Sequence, residues 1–184
     1  MVETLMWRQF ADNQTGLLSK GGVIKQFGSI IRTIKRQERG KASATDDSGN
    51  LFSSYAVFFI DIAGMKHLNE TLGVKRGDML IIKIADLLTN TFTRSTDLCC
   101  RWEDDDFVVI TINTSKDDAI RLLEKVEEGL SEEVYLNIGL CIFPDNASVL
   151  ESISRTEEVM KKVKQQVKDS IDGSTKKINI SVGL

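Results

Sequence analysis

Arg94 and Asp97 are the side chains whose types and spacing most directly suggest ligand recognition. A guanidinium can donate two parallel hydrogen bonds to O6 and N7 of guanine, and a nearby carboxylate can accept from N1–H and the 2-amino group. A three-residue offset at a helix end would bring both side chains to one side. The simpler alternative is a surface ion pair worth about 0.5 kcal/mol, or a helix cap. Both interpretations stay open on the sequence alone.

A second group of chemically active side chains is a run of four acids, Glu103 to Asp106, followed by Phe107. The segments on either side have strand character, so the run is predicted to form the turn of a hairpin. Acidic turns are common at protein surfaces, and a solvated turn is the simplest interpretation. Asp61 stands apart from this run, at the end of an apolar segment typical of a buried strand.

Composition limits the classes of protein to which the chain can belong. Its 184 residues, 41% hydrophobic and 28% charged, predict a single globular domain. A formal net charge of -3 argues against binding to a nucleic acid polymer, which needs a dense basic face. The apolar run from Tyr55 to Ile60 is too short to span a membrane. The N-terminus carries Glu3 and no extended apolar segment, so we expect no signal peptide and a cytoplasmic location. Three cysteines and the single His67 lack metal-ligand spacing.

Hydrophobic periodicity predicts the elements that would position these side chains. The predicted order is helix, strand, two helices, hairpin, helix, strand, helix and strand, which indicates an α/β sheet covered by helices. The polar residues 39–54 are predicted to form a mobile loop. The predicted helices cover about residues 19–37, 65–72, 78–93, 119–130 and 153–167, and the predicted strands about 55–61, 97–103, 106–112, 134–143 and 177–182.

Several separated segments resemble the GGDEF family of diguanylate cyclases, and the resemblance runs from Asp12 to about Lys168. Each match is weak alone, but their order and spacing make chance agreement improbable. The matching segments are Asp12–Lys20 (family D-x-L-T-G-L-x-N-R, with Gln14 for leucine), Phe59–Glu70 (D-I-D-x-F-K-x-x-N-D), Gly77–Asp78 (G-D), Arg101–Phe107 (R-Y-G-G-D/E-E-F) and Ile138–Leu140 (S-I-G-V).

The resemblance implies an α+β sandwich like that of the nucleotide cyclases: a central, mostly antiparallel five-stranded sheet flanked by helices, with a hairpin that carries the signature. Residues 12–184 would form this domain, after a lead-in segment of residues 1–11. Family members join two GTP molecules, each held by one domain of a dimer, and this chain would form a homodimer. The implied magnesium ligands are Asp61 and Asp105, the implied guanine contacts Asn69 and Asp78, and the implied phosphate cations Lys164 and Lys168.

The signature departs from the family at its first two positions, where Glu103 and Asp104 replace glycines. Glycine permits a tight turn and a close approach of the nucleotide. Each carboxylate near a triphosphate would cost about 1 kcal/mol at about 4 Å in water, and about 4 at an effective dielectric of 20. Ala63 also replaces the second acid of D-I-D. We therefore expect that the chain is not an enzyme and requires no cofactor, with magnesium still able to bind at the vestigial site.

The segment Arg94–Asp97 begins nine residues before Glu103, the spacing of the family's R-x-x-D product site. The resemblance therefore implies a receptor for cyclic di-GMP, with Arg121 or Lys125 on the next helix supplying a further cation. The signal would pass to an unknown protein partner or to an attached sensory domain. The alternatives are an active or weakly active diguanylate cyclase, and an interaction module that binds no nucleotide.

Overall fold

The computed structural model describes residues 10–41, 54–131, 134–169 and 177–183, without the side chains of residues 37–41, 168 and 169. The described strands are β1 (Leu18–Ser19), β2 (Ser54–Ile62), β3 (Leu98–Glu103), β4 (Asp106–Ile112), β5 (Leu136–Pro144) and β6 (Ile178–Gly183). The described helices are α1 (Lys20–Lys41), α2 (Met65–Leu72), α3 (Val74–Thr91), α4 (Lys116–Gly129) and α5 (Val149–Asp169). The predicted α/β class, a sheet flanked by helices, is confirmed.

Strand β2 forms the centre of the sheet because its side chains are apolar on both faces. Every residue from Tyr55 to Ile62 is buried. The strand pairs antiparallel with β4 on one side and with β5 on the other, and the strand order is β1-β3-β4-β2-β5-β6. Asp61 therefore lies at the end of the most enclosed strand, opposite Asp106 of β4 and Asn137 of β5.

The described sheet has six strands, so the predicted number of five is wrong. The additional strand is β1, whose two residues pair in parallel with Cys100 and Arg101 of β3. A two-residue strand is too short to show alternation, which is why periodicity does not reveal it. Strand β6 is also parallel to its neighbour β5, whereas the β2–β4, β2–β5 and β3–β4 pairs are antiparallel.

Helix boundaries differ from the predicted ones where glycine or polar residues blur the pattern. Helix α3 begins at Val74 rather than near Asp78, directly after Gly73, whose φ of 83° ends α2. Helix α1 continues to Lys41, so residues 39–41 of the predicted loop are helical, and residues 42–53 lie outside the described part. Among the described helices, none combines the length and the apolar character needed to cross a bilayer.

Two apolar clusters cover the two faces of the sheet. Phe58 and Ile60 of β2 pack with α3 and α4, whereas the alternate residues Val57 and Phe59 pack with α1 and α5. This arrangement follows from the period of two along a strand, which sends successive side chains to opposite faces. The signature hairpin and the end of β2 are thus held between two helical layers.

Gly139 of β5 is required by the close approach of α5. A Cβ atom at this position would lie 2.3 Å from the carbonyl oxygen of Thr156 and 2.7 Å from the backbone nitrogen of Met160. We predict that Gly139→Ala lowers the free energy of unfolding by about 1–3 kcal/mol, because a helix backbone must move. Urea denaturation measures this. The control is Gly28→Ala, whose Cβ would have no protein atom closer than 3.5 Å, and an equal loss there would contradict the packing argument.

Candidate functional site

The turn between β3 and β4 is held by the side chain of Arg101. Its Nε and Nη2 atoms donate to the carbonyl oxygen of Asp104 at 3.0 and 2.7 Å. Asp104 itself has a φ of 32°, which lies in the left-handed region where the family motif has glycine. The turn of the predicted hairpin is therefore formed, but with one non-glycine residue in a conformation that favours glycine.

Glu103 is paired with a cation at the start of helix α1. Its carboxylate lies 2.5 Å from Nζ of Lys20, and the same ammonium lies 4.3 Å from the ring centroid of Trp102. Both charged side chains are largely exposed, so the ion pair contributes at most about 1 kcal/mol to stability. Its effect is to neutralise the negative charge that replaces the first glycine of the signature.

A cluster of polar and charged side chains surrounds the carboxylate of Asp61. Asp61 is 2% exposed. Its Oδ2 atom accepts a hydrogen bond from Nδ2 of Asn137 at 2.8 Å, and its Oδ1 atom lies 2.5 Å from Nζ of Lys164 on α5. A buried carboxylate is tolerated only with such partners. The structure therefore brings together Asp61 and Lys164, two residues that the sequence assigned to different parts of the site.

Two acids of the signature, Asp105 and Asp106, have raised pKa values next to this cluster. Burial, together with the charges of Asp61 and Asp105, raises the pKa of Asp106 to about 7. Burial likewise raises the pKa of Asp105, and the charge of Asp61 adds to the rise. Burial acts to lower the pKa of Lys164, but its hydrogen bond to Asp61 and the surrounding acids outweigh burial and raise it. The ammonium of Lys164 is thus the local counter-charge for the carboxylates.

The carboxylate of Asp61, a predicted magnesium ligand, is shared with two protein donors. Carboxylate oxygens are the ligands that magnesium prefers. Here both oxygens of Asp61 already have partners, Asn137 and Lys164. The described residues contain no group of three or more His, Cys, Asp or Glu side chains that could hold a metal ion. A magnesium ion at Asp61 would lie next to the ammonium of Lys164, whose positive charge opposes its binding.

A cleft of about 610 Å³ opens beside the hairpin turn and contains one of the predicted guanine contacts. Oδ1 of Asn69 is buried without a hydrogen-bond partner among the described residues. A Cβ atom on Gly77 would lie 2.0 Å from that oxygen, so a larger residue there would displace the side chain of Asn69. The lining residues are Met65, Lys66, Asn69, Glu70, Val74, Ile81, Arg101, Asp104 and Asp105.

The other predicted contacts of the nucleotide are only partly described. Oδ1 of Asp78 accepts a hydrogen bond from Nε2 of Gln14 at 2.9 Å. Lys168 lies in α5 one turn after Lys164, but its side chain is outside the described part. The sequence analysis noted Gln14 only as a replacement for leucine and assigned it no role. The replacement itself is the signal that could have been followed, because an amide in place of leucine brings a donor and an acceptor that need partners where they are partly buried.

Arg94 and Asp97 lie in a turn that follows α3, not at the end of the helix itself. The helix ends at Thr91, and the backbone nitrogen of Asp97 donates to the carbonyl oxygen of Arg94 at 2.9 Å. Oδ2 of Asp97 accepts from the backbone nitrogen of Arg94 at 3.0 Å, while Nη1 of Arg94 donates to Thr114 at 3.4 Å. The predicted helix-end geometry is therefore replaced by a turn that still places both residues together.

Asp97 retains an acceptor that the turn does not use. Its Oδ1 atom is buried and has no hydrogen-bond partner among the described residues. Burial raises the pKa of Asp97, although the backbone hydrogen bond and the charge of Arg94 oppose the rise. On helix α4, Arg121 donates to Asp118 at 3.0 Å. The hydrogen bond from Ser115 lowers the pKa of Asp118, and the charges of Arg121 and Arg94 lower it further. Lys125 is exposed on the same helix.

Comparison with known proteins identifies the family to which the sequence is similar. The family model described as "Diguanylate cyclase, GGDEF domain" matches residues 32–170. The chain is 26% identical over 167 residues to diguanylate cyclase DgcM of Escherichia coli, covering 87% of this chain and 37% of DgcM. It is 23% identical over 137 residues to diguanylate cyclase A of Treponema denticola, covering 68% of this chain and 37% of that protein. The chain thus spans little more than a third of these curated relatives.

A solved structure supports the same fold. The coiled coil and GGDEF domain of DgcB from Caulobacter crescentus, in complex with c-di-GMP, is similar with a TM-score of 0.72. The match covers 98% of this chain and 90% of that chain at 14% sequence identity. At this identity the likeness concerns the fold alone.

The comparisons correct the prediction that the chain is not an enzyme. The matching family is described by its cyclase activity, and both curated relatives are named diguanylate cyclases. The structure also weakens the physical reason for that prediction. The cleft is lined by Asp104 but not by Glu103, whose carboxylate pairs with Lys20. The acidic signature by itself is therefore no ground for excluding catalysis.

Asp104 provides a direct test of strain in the signature turn. We predict that Asp104→Gly raises the free energy of unfolding by up to about 1–2 kcal/mol, because glycine adopts a positive φ without steric cost. The bonds from Arg101 use the backbone carbonyl and remain available. Thermal and urea unfolding measure the change. Asp104→Ala removes the charge but keeps Cβ, so an equal gain in that variant would show that charge rather than backbone conformation is responsible.

Proposed function

As this chain belongs to the GGDEF family of diguanylate cyclase domains, we propose that it acts in cyclic di-GMP signalling and binds cyclic di-GMP at the turn Arg94–Asp97. The observation that carries the proposal is the unsatisfied acceptor of Asp97, whose Oδ1 atom is buried without a partner among the described residues. Buried polar atoms normally have a partner, so a ligand that donates hydrogen bonds there would remove a cost of about 1–3 kcal/mol.

The guanidinium of Arg94 is available for the second half of the interaction. Its contact with Thr114 is long, at 3.4 Å, and the side chain is exposed. A guanidinium has five N–H donors, so the contact with Thr114 leaves others for O6 and N7 of guanine. Asp97 would accept from N1–H and the 2-amino group. Arg121, which donates to Asp118 on helix α4, or Lys125, which is exposed on the same helix, would supply the further cation.

Relatives support this ligand class without assigning the residues. The structure of DgcB is described as a complex with c-di-GMP, and a second GGDEF domain structure is described by its interaction with the same dinucleotide. The partner that would receive the signal, a homodimeric state, the domain boundary at residue 12 and a cytoplasmic location all remain predictions.

A second candidate function is the diguanylate cyclase reaction at the signature end of the sheet. The specific observation in its favour is that Asp61, Asp105 and Lys164 lie together. The ammonium of Lys164, on α5, lies 2.5 Å from the buried carboxylate of Asp61, and both charges affect the pKa of Asp105. Such a cation stabilises the negative charge of a phosphate as readily as that of an acid. The cleft beside Asn69 would hold the guanine base of GTP. This function and binding of the product at Arg94 are compatible, because the two sites use different residues.

Binding of cyclic di-GMP is tested by calorimetric titration of the wild type and of Arg94→Ala. We predict saturable binding by the wild type and a loss of about 10- to 100-fold in affinity for the variant, which is the effect of losing hydrogen bonds from a charged group. Asp97→Asn should weaken binding similarly. The control is Arg76→Ala, which removes an exposed arginine near the opposite end of α3. Absence of heat with the wild type would refute the proposal.

The cyclase reaction is tested by incubation with GTP and magnesium, followed by chromatography of the products. We predict cyclic di-GMP from the wild type and at least a 100-fold lower rate for Asp61→Asn, which keeps the size of the side chain but removes its charge. The matched control is Asp145→Asn, which changes an aspartate at the other end of the sheet, where it pairs with Lys35. A wild type that yields no product, or an Asp61→Asn variant that is fully active, would contradict this candidate.

A further inference from the structure

The amide of Gln14 bridges two charged residues that are distant in sequence. Its Nε2 atom donates to Oδ1 of Asp78 at 2.9 Å, and its Oε1 atom accepts from Nη1 of Arg101 at 2.5 Å. Both ends of the amide are thus used, one by an anion and one by a cation. The amide dipole is aligned with both charges, and hydrogen bonds to charged groups are the stronger ones.

The segment that carries Gln14 is itself fixed. Asp12 accepts from the backbone nitrogen and the hydroxyl of Thr15 at 2.9 and 2.7 Å, and its carboxylate lies 3.3 Å from Arg101. Arg101 in turn holds the carbonyl oxygen of Asp104 in the hairpin turn. One guanidinium therefore connects the N-terminal turn to the hairpin, and Gln14 extends the connection to helix α3.

The connection ends on Asp78, which follows Gly77 in α3, where Gly77 packs against Asn69. A carboxylate offers about four lone-pair positions, and the bond from Gln14 occupies one of them. The remaining positions can accept two donors from a planar edge, but only if the carboxylate keeps one orientation. A half-exposed aspartate without an anchor would lose that orientation and would have to recover it on binding.

We propose that Gln14 is a positioning residue that orients Asp78, which follows Gly77 beside Asn69, for the edge of a guanine base. The inference rests on the second candidate function, nucleotide binding in the cleft next to the hairpin turn. Guanine presents two donors, N1–H and the 2-amino group, to such a carboxylate, whereas adenine presents an acceptor at N1. Gln14 should therefore act on the preference for guanine and not on the binding of phosphate.

The role is particular to this chain, because the resembling motif has leucine at this position and leucine can donate no hydrogen bond. Gln14→Leu consequently removes the bridge while keeping a side chain of similar length. Gln14→Glu keeps an acceptor for Arg101 but places a second carboxylate against Asp78, so it disturbs the same aspartate by repulsion. The two variants change the bridge in different ways and serve as checks on each other.

The experiment measures the affinities of the full chain for GTP, ATP and inorganic tripolyphosphate by calorimetry. We expect the ratio of GTP to ATP affinity to fall about tenfold in Gln14→Leu and further in Gln14→Glu, with tripolyphosphate affinity unchanged. In an Asp78→Ala background, which lacks the acceptor, Gln14→Leu should have no additional effect on the ratio, because the two residues act as one unit. Gln26→Leu removes a glutamine amide from α1 and is the matched control.

The possible results distinguish a failure of the positioning role of Gln14 from a failure of the guanine site itself. An unchanged GTP to ATP ratio in both Gln14 variants, while the wild type prefers GTP, would overturn the positioning role and leave the nucleotide site standing. Tighter GTP binding by Gln14→Leu would also overturn it, since the amide would then block Asp78. A wild type that binds tripolyphosphate and no GTP would overturn both the inference and the guanine site. Equal losses for all three ligands would show a general structural effect and would refute the positioning role.

Discussion

The structure depends on keeping one carboxylate buried at the end of its central strand. Asp61 is the only Asp, Glu, Lys or Arg among the buried residues that the structure describes. An isolated charge in that position would be very costly, so its two oxygens are held by Asn137 of the neighbouring strand and Lys164 of the covering helix. These contacts tie β5 and α5 to the end of β2, and an ammonium and three aspartates lie where the hairpin meets the sheet. This is the candidate catalytic end of the fold.

The acidic signature is accommodated by two basic side chains. Lys20 neutralises Glu103 from the start of α1, and Arg101 binds the carbonyl oxygen of Asp104 from within β3. The two residues that replace glycine are therefore stabilised differently. The charge of Glu103 is compensated by Lys20, whereas Asp104 is held in a left-handed backbone conformation. The same Arg101 contacts Gln14 and Asp12, so the N-terminal turn and the hairpin form one hydrogen-bonded unit.

Much of the fold was predictable because its signals are local. The uninterrupted apolar run of β2 and the spacing of Met65–Leu72 define a buried strand and a short helix without tertiary information. The two-residue strand β1 was missed because it exists only through its pairing with Cys100 and Arg101. The site was predictable as a set of residue types, but not as a set of contacts. Lys164 on Asp61, Lys20 on Glu103 and Gln14 on Asp78 are separated by 103, 83 and 64 residues, and such pairs leave no mark in local periodicity.

The central functional claim is that one guanidinium and one carboxylate after α3 hold a guanine base. A crystal structure of the chain grown with cyclic di-GMP tests it most directly. The account predicts a guanine whose O6 and N7 lie within about 3 Å of the Arg94 guanidinium and whose N1 lies at a similar distance from Oδ1 of Asp97. Well-defined dinucleotide bound elsewhere on the domain, with Arg94 still on Thr114 and Asp97 unchanged, would contradict it.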